Sequence, residues 1–208
     1  MALNDVYTVY GDSRSGNCYK AALILSLTGR RYAWREIDVM SGETRSPEFL
    51  RMNPNGKVPV LRLTDGRYLA ESNAMLLHLA EGTAFLPEDS YRRAVVYQWL
   101  FFEQYSHEPC IAVARFIVRF AGREAEEAER LGQLRAKGRE ALAVMENSLA
   151  ASDFIAGDEF SIADIALYAY THVAQEGGFD MNDFPRIMGW LGRVESCPGF
   201  RCMQDACS

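Results

Sequence analysis

Hydrophobic and polar positions follow two regimes along the chain. Up to Gly82, short alternating runs trade places with short helical ones, and beyond residue 90 the periodicity is helical throughout. Val6-Tyr7-Thr8-Val9-Tyr10 reads as a strand from its β-branched and aromatic content, and the stretch from Gly11 to Gly16 reads as a loop. Asn17 to Leu27 is helical, with Cys18, Ala21, Ala22 and Leu25 on one apolar face and Gly29 as its stop. Tyr32 to Val39 alternates as a second strand. Ser46-Pro47-Glu48-Phe49-Leu50 starts a short helix, with Pro47 in its first position. Asn53-Pro54-Asn55-Gly56 is dense turn chemistry, and Lys57 to Leu63 is a strand with Val58, Val60 and the leucines turned inward. Asp65-Gly66 marks a hairpin and Arg67 to Ala70 is the returning strand. Glu71-Ser72 leads into a helix over Asn73 to Glu81 that Gly82 closes, with Ser72 placed as its N-cap.

The predicted order is therefore β-α-β-α-β-β-α. A strand–helix–strand unit with a short connection implies a parallel pair, and the hairpin adds antiparallel strands. This α/β domain is expected over residues 1–83. Phe85 to Asp89 is a linker by composition, and Asp89 or Ser90 caps a long helix. From Tyr91 to Phe120 the only breaker is Pro109, which predicts a kink or interruption there. A second long helix spans Glu124 to Leu149. Ser161-Ile162-Ala163-Asp164 is a capping signal before the apolar run Ile165 to Tyr170, with Phe160 and Ile165 as a hydrophobic staple. A last helix covers Phe184 to Glu195 and ends at Cys197-Pro198-Gly199. An all-α domain is expected over residues 90–208.

Composition narrows the function classes. In 208 residues, 49% hydrophobic and 24% charged, a net charge of −6 argues against a general binder of nucleic acid or anionic membrane. No apolar run approaches the roughly 20 residues of a membrane helix. The opening MALNDVYTVYGDS has no basic region followed by an apolar one, so no secretory leader is expected. The five cysteines, Cys18, Cys110, Cys197, Cys202 and Cys207, are unevenly spread and are not a disulfide framework, which suits a reducing cytoplasm. The last three recur every five residues, which is not zinc-ligand spacing, and no metal is expected.

The candidate chemistry lies between Asn53 and Gly82. Pro59 cannot donate to a ladder and belongs at a strand entrance. A trans bond there would only open the strand, whereas a cis Val58–Pro59 bond would turn the backbone N–H and C=O of Val58 outward. Ser72 is either a cap alone or the anchor of a ligand carboxylate at a helix start, with Glu71 beside it to hold an ammonium. A hairpin, an outward backbone edge and a zwitterion-binding corner together suit a peptide ligand. NPNGKVPVL, then ES, then a short helix resembles the glutathione-binding half of the cytosolic glutathione S-transferases, and FSIADIALYAY is similar to the capping segment of that family's second domain.

That resemblance implies a thioredoxin-like domain followed by an all-helical one. It points to the bacterial, theta-like, serine-dependent kind of transferase. The expected activity is conjugation of glutathione, as co-substrate, to small hydrophobic electrophiles in detoxification, or its use to reduce organic peroxides; the expected assembly is a homodimer. Such a fold places its reactive group at the start of the first helix, where exposed N–H groups and the helix dipole favour a thiolate. Here Ser15-Gly16-Asn17-Cys18 has C-x-x-C spacing with serine in the first place. Ser15 is the expected hydrogen-bond donor to the thiolate of glutathione. Ser13 is the nearest alternative, and Tyr10 lies where the tyrosine-dependent classes carry their hydroxyl. Cys18 is expected to face the interior. Val58 and Pro59 are expected at the cysteinyl unit of glutathione, Glu71 and Ser72 at the γ-glutamyl end, and Lys57 at the glycyl carboxylate unless it is a solvated turn residue. Tyr105 and His107 are expected to line the electrophile pocket. The rival readings are a glutathione-dependent thiol–disulfide oxidoreductase, which would want a nucleophilic cysteine at position 15, and a fold relative that binds ligands without turnover.

Overall fold

The structure, a computed structural model, describes residues 6–208. Residues 1–5, which open both the expected first domain and the segment read as lacking a leader, lie outside the described residues. The chain forms two compact units. One takes the described residues up to Thr83 together with Cys197–Ser208, and the other is Ala84–Ser196. The segment after Ser196, expected to close the helical domain, thus belongs to the first unit. Hydrogen bonds account for that: the hydroxyls of Tyr19 and Tyr32 donate to the carbonyls of Arg201 and Ala206 at 2.7 Å each, and Ser26 donates to Gly199 O at 2.9 Å.

The first unit is built on a four-stranded mixed sheet of order β2-β1-β3-β4, from β1 (Tyr7–Gly11), β2 (Tyr32–Glu36), β3 (Val60–Arg62) and β4 (Tyr68–Ala70). β1 pairs parallel with β2 and antiparallel with β3, and β3 pairs antiparallel with β4. Its long helices are α1 (Gly16–Leu27) and α3 (Ser72–Ala80), with the short α2 (Pro47–Met52) between them in sequence. From Cys18 to Leu25 every residue of α1 is at zero exposure, Lys20 included. On the opposite face of β1, Tyr10 packs with Ile37, Phe49 of α2 and Val60.

Among the boundaries that differ from the sequence reading, three have a clear local reason. β2 stops at Glu36 although alternation continues to Val39, because polar side chains take over the backbone donors. Asp12 accepts from Val39 N and Asp38 from Met40 N. β3 begins at Val60 rather than Lys57, since Pro59 has no donor. The Val58–Pro59 peptide is cis. α3 begins at Ser72, so Ser72 is the first helical residue and not the N-cap; Glu71 holds the cap position without a side-chain cap bond.

The second unit is helical: α4 (Ser90–Phe102), α5 (Glu108–Arg115), α6 (Ala128–Ser148), α7 (Ile162–Thr171) and α8 (Pro185–Glu195), while α9 (Met203–Ala206) lies in the tail of the first unit. Asp89 caps α4 by accepting from Arg92 N at 2.9 Å. The interruption expected at Pro109 takes the form of a widened π turn over Glu103–His107, in which Glu108 N reaches back five residues to Glu103 O. A proline ring excludes the carbonyl four residues earlier from ordinary helical bonding, and the wider turn accommodates it.

Every residue of α7 is buried, and Ser161 and Asp164 form the capping box at its start. The rings that meet Phe160 edge-on are Phe85 and Phe154. Asp164 is enclosed and fully engaged. Its Oδ1 accepts from Ile155 N at 2.8 Å and Trp190 Nε1 at 2.9 Å, and its Oδ2 from Ser161 N at 2.9 Å and Ser161 Oγ at 3.1 Å. Burial pushes its carboxyl above the usual range against the pull of these donors. One side chain thus ties the start of α7 to the loop before it and to α8. Asp164→Ala would orphan several buried donors, each worth about 1–3 kcal/mol. Chemical unfolding of this variant should show a loss of about 3 kcal/mol or more, and a loss below about 1 kcal/mol would contradict this role for Asp164.

Candidate active site

Two helix starts meet in the first unit. At the start of α1, Ser15 is the N-cap in extended conformation, its Oγ accepting from Cys18 N at 3.4 Å. Cys18 is enclosed, and burial pushes its thiol up to about 12 despite the opposing pull of the Ser15 hydroxyl. The thiol is therefore protonated and inert near neutral pH. The preceding loop is held by Arg14, which donates to Asp12 at 2.8 and 2.7 Å and to Asp38 at 2.8 Å. Burial works against charge on Asp12, yet the Arg14 side chain and N–H keep its carboxyl below the usual range.

The other two hydroxyl candidates are placed differently. Ser13 is exposed and gives both its N–H and its hydroxyl to Glu36 Oε1, each at 3.0 Å. Tyr10 lies opposite Val60 in the ladder, and burial, followed by neighbouring Tyr68, pushes its phenol above the ordinary value. Gly11 shows which face is which: a Cβ there would meet Trp34 at 2.8 Å and Cys18 Cβ at 2.9 Å. Gly11 thus faces α1, and Tyr10, one residue earlier, projects from the opposite face of the strand.

At the start of α3, the Ser72 hydroxyl donates to Asn17 Oδ1 at 3.0 Å. Lys20 Nζ donates to Ser72 Oγ at 3.4 Å and to Asn73 Oδ1 at 3.3 Å. A chain of polar contacts therefore runs from the first turn of α1 to the first turn of α3. Before it stands Glu71, exposed, with φ 66° and ψ 113°. A non-glycine residue in that region carries strain of about 1–3 kcal/mol. Such outliers cluster at binding sites, where the surrounding fold imposes them.

The turn before β3 completes the surround. Asn53 organises it, donating from Nδ2 to Lys57 O at 2.7 Å and accepting from Asn55 N at 3.1 Å. Gly56 has φ 63° and its missing Cβ would meet Arg45 Nη1 at 2.5 Å, so the position requires glycine. Thr44, Arg45, Gly56, Lys57 and Val58 line an open groove of about 450 Å³, with Lys57 exposed at its rim.

A mixed-sheet unit whose first helix starts at a serine, and whose third strand follows a cis proline, matches known proteins. The profile of the glutathione S-transferase N-terminal domain matches residues 14–81, and that of the C-terminal domain matches residues 99–198. The chain belongs to the glutathione S-transferase family. A crystal structure of a glutathione S-transferase from Pseudomonas fluorescens is 53% identical, with a TM-score of 0.93, over 95% of this chain and 98% of that one. Glutathione S-transferase 2 of Anopheles gambiae is 30% identical over 89% of this chain and 88% of its own length. The disulfide-bond oxidoreductase YfcG of Escherichia coli is 29% identical over 88% of this chain and 87% of its own. A glutathione transferase from Burkholderia graminis, solved with two glutathione molecules bound per subunit, is 26% identical, with a TM-score of 0.85, over all of this chain and 89% of that one.

Two residues in this family member's first unit escaped the sequence reading. Asn17 carries no signal beyond its place in the first turn of α1. Lys20 does carry one: it is the single charge inside the apolar run from Cys18 to Leu25. In the second unit, the expected pocket pair separates. Tyr105 is 88% exposed, whereas His107 is at zero exposure with Nε2 2.9 Å from Thr171 Oγ1. The ring of His107 is enclosed in its own unit, because residues two apart on a helical segment point to opposite sides.

The backbone at Glu71 generates a test. Glu71→Gly should raise stability by about 1 kcal/mol in chemical unfolding, because glycine adopts φ 66° without strain. The same variant should lose affinity for a ligand ammonium. Since glycine also adds unfolded-chain entropy worth about 0.5–1 kcal/mol, a loss of about that size would mean that the conformation is unstrained.

Proposed function

We propose that this protein is a glutathione transferase of the serine-dependent, theta-like kind. It would activate the thiol of glutathione for attack on small hydrophobic electrophiles, and the same thiolate would also reduce organic peroxides. A detoxifying role in the cytoplasm accompanies that reading. The observation that carries it is the junction of the two helix starts, Ser15 and Asn17 on α1 with Ser72 on α3. In this arrangement, Glu71 and Ser72 take the γ-glutamyl end, the Val58 backbone beside the cis Pro59 pairs with the cysteinyl unit, and Lys57 reaches the glycyl carboxylate across the groove.

Ser15 supplies the donor to sulfur. Lowering a thiol from near 8.5 by about 2 units requires about 2.7 kcal/mol. A hydrogen bond to the anion supplies roughly 1.5–3 kcal/mol, and a helix start adds roughly 0.3–1 kcal/mol. Serine is too weak an acid to act as the base, so it stabilises the sulfur anion and the proton leaves to solvent. Ser13, already engaged with Glu36, and Tyr10, on the far face of β1, are the lesser candidates for the same role. Tyr105 is the second-unit residue best exposed to contribute to an electrophile pocket.

A second reading is disulfide exchange. Ser15 replaces the nucleophilic cysteine and Cys18 is enclosed, so the chain offers no exposed thiol at the start of α1. Both thiols would then come from glutathione. A relative named as a disulfide-bond oxidoreductase, and one solved with two glutathione molecules per subunit, favour this alternative. One glutathione thiolate would attack the disulfide, releasing a thiol and leaving a mixed disulfide, and the second glutathione would release the other thiol and form oxidised glutathione.

Ser15→Ala separates catalysis from capping. If Ser15 holds the thiolate, kcat/KM at neutral pH should fall about 10- to 150-fold, and the deficit should shrink as pH rises because hydroxide then supplies the thiolate. Ser72→Ala, remote from sulfur, should instead raise KM for glutathione more than it lowers kcat. An unchanged thiol pKa with near-normal turnover in Ser15→Ala would reduce Ser15 to a helix cap, whose loss costs only about 0.5–2 kcal/mol of stability. The same assays on Ser13→Ala and Tyr10→Phe would then locate the donor. Oxidised-glutathione production from a model disulfide, measured alongside, distinguishes the two activities.

The assembly we propose is a homodimer. On α4, Tyr91 at 76% exposure and Phe101 at 73% leave aromatic surface on the second unit uncovered. Sedimentation velocity should return twice the mass of the 23.4 kDa chain. A monomer at micromolar concentration would end this part of the reading.

A further inference from the structure

Lys20 stands out among the groups that the proposed chemistry does not use. It lies in α1, at zero exposure, with Cys18, Tyr19, Ala21 and Ala22 enclosed around it in the chain. Full burial of an ammonium is disfavoured unless polar groups receive it. Here its Nζ reaches across to α3 and donates to Ser72 Oγ at 3.4 Å and Asn73 Oδ1 at 3.3 Å, the first two residues of that helix.

We infer that Lys20 is a positioning residue for the γ-glutamyl carboxylate of glutathione, acting through Ser72 and Asn73. The inference rests on the glutathione reading of the site. A serine hydroxyl has one proton to give and two lone pairs to offer. In this structure the proton goes to Asn17 Oδ1 and a lone pair receives Lys20. With Lys20 on the lone pair, that proton has two destinations, Asn17 or an arriving anion. Binding of a carboxylate at the start of α3 would switch it from the amide oxygen to the ligand while Lys20 stays in place. The ammonium also polarises the hydroxyl, which strengthens its donation in a site of low dielectric. Its charge adds to that of the helix start, which alone favours an anion by only about 0.3–1 kcal/mol. Holding Asn73 as well keeps the first turn of α3 in register with α1.

The test compares two ligands in each variant: glutathione, and 4-aminobutanoyl-cysteinyl-glycine, which is glutathione without its γ-glutamyl carboxylate. Calorimetric titration gives the ratio of the two dissociation constants, and a ratio is insensitive to the fraction of protein that folds. Wild type should prefer glutathione. Lys20→Met should cut that preference about tenfold, with the analogue's own affinity within about twofold of wild type. Lys20→Gln, close in length and still a donor to Ser72, is the second variant should Lys20→Met not fold, and it should cut the preference at least about threefold. In a Ser72→Ala background either change should add little, because the effect passes through Ser72. A preference retained in both variants, or equal weakening of both ligands, would overturn the inference and leave Lys20 as a packing residue. Failure of the wild type to bind glutathione at all would overturn the underlying reading of the site and this inference with it.

Discussion

Helix α1 is apolar on nearly every side, and a helix of that kind has to be enclosed. One side meets the sheet, where Gly11 has given up its side chain so that Trp34 and Cys18 can close over it. Another side meets α3, and the tail after Ser196 is tied to the helix by the Tyr19 hydroxyl. Once these surfaces are covered, the start of the helix has a single possible position. Ser15 then caps it at a fixed place, and Asn17 and Lys20 point where α3 begins. The site thus inherits its precision from packing that has no chemistry of its own.

Enclosure also divides the labour between sulfur and oxygen. A thiol at position 18 is held protonated by the lack of solvent around it, while the hydroxyl at position 15 remains at the rim. The same gradient of burial works at α3, where Glu71 is exposed, Ser72 buried and the ammonium of Lys20 deeper still. The exposed groups lie at the surface end of each helix start, and the groups that hold them lie deeper.

Much of this was legible in the amino-acid order. The turn at Asn53–Gly56, the hairpin at Asp65-Gly66 and the box at Ser161–Asp164 are local signals, and local signals survive into the fold because few residues decide them. Ser72 was misplaced by one residue because serine before an apolar run reads as a cap, whereas tertiary packing forces Glu71 into the cap position at positive φ. The end of β2 differs because side chains compete for the backbone donors there, Asp12 from the loop before α1 and Asp38 from within the alternating stretch itself. Asn17 shows no signal of a site role, and Lys20 shows only as a lone charge in an apolar run. Their partners, Ser72 and Asn73, lie more than fifty positions away, and no periodicity reports a contact of that range. Tyr105 and His107 separate because residues two apart on a helical segment face opposite sides, a spacing already present in the residue order.

The tail that covers α1 bears on the order of events during synthesis. Tyr19 and its acceptor on Arg201 are 182 residues apart, and the Tyr32 hydroxyl waits for Ala206. A ribosome adds roughly 5–20 residues each second, so the glutathione-site unit spends roughly ten seconds or more with one flank of its central helix uncovered. The helical unit is made and can fold within that interval. The first part of the chain to emerge is therefore among the last to be sealed, and the seal arrives from beyond its neighbour.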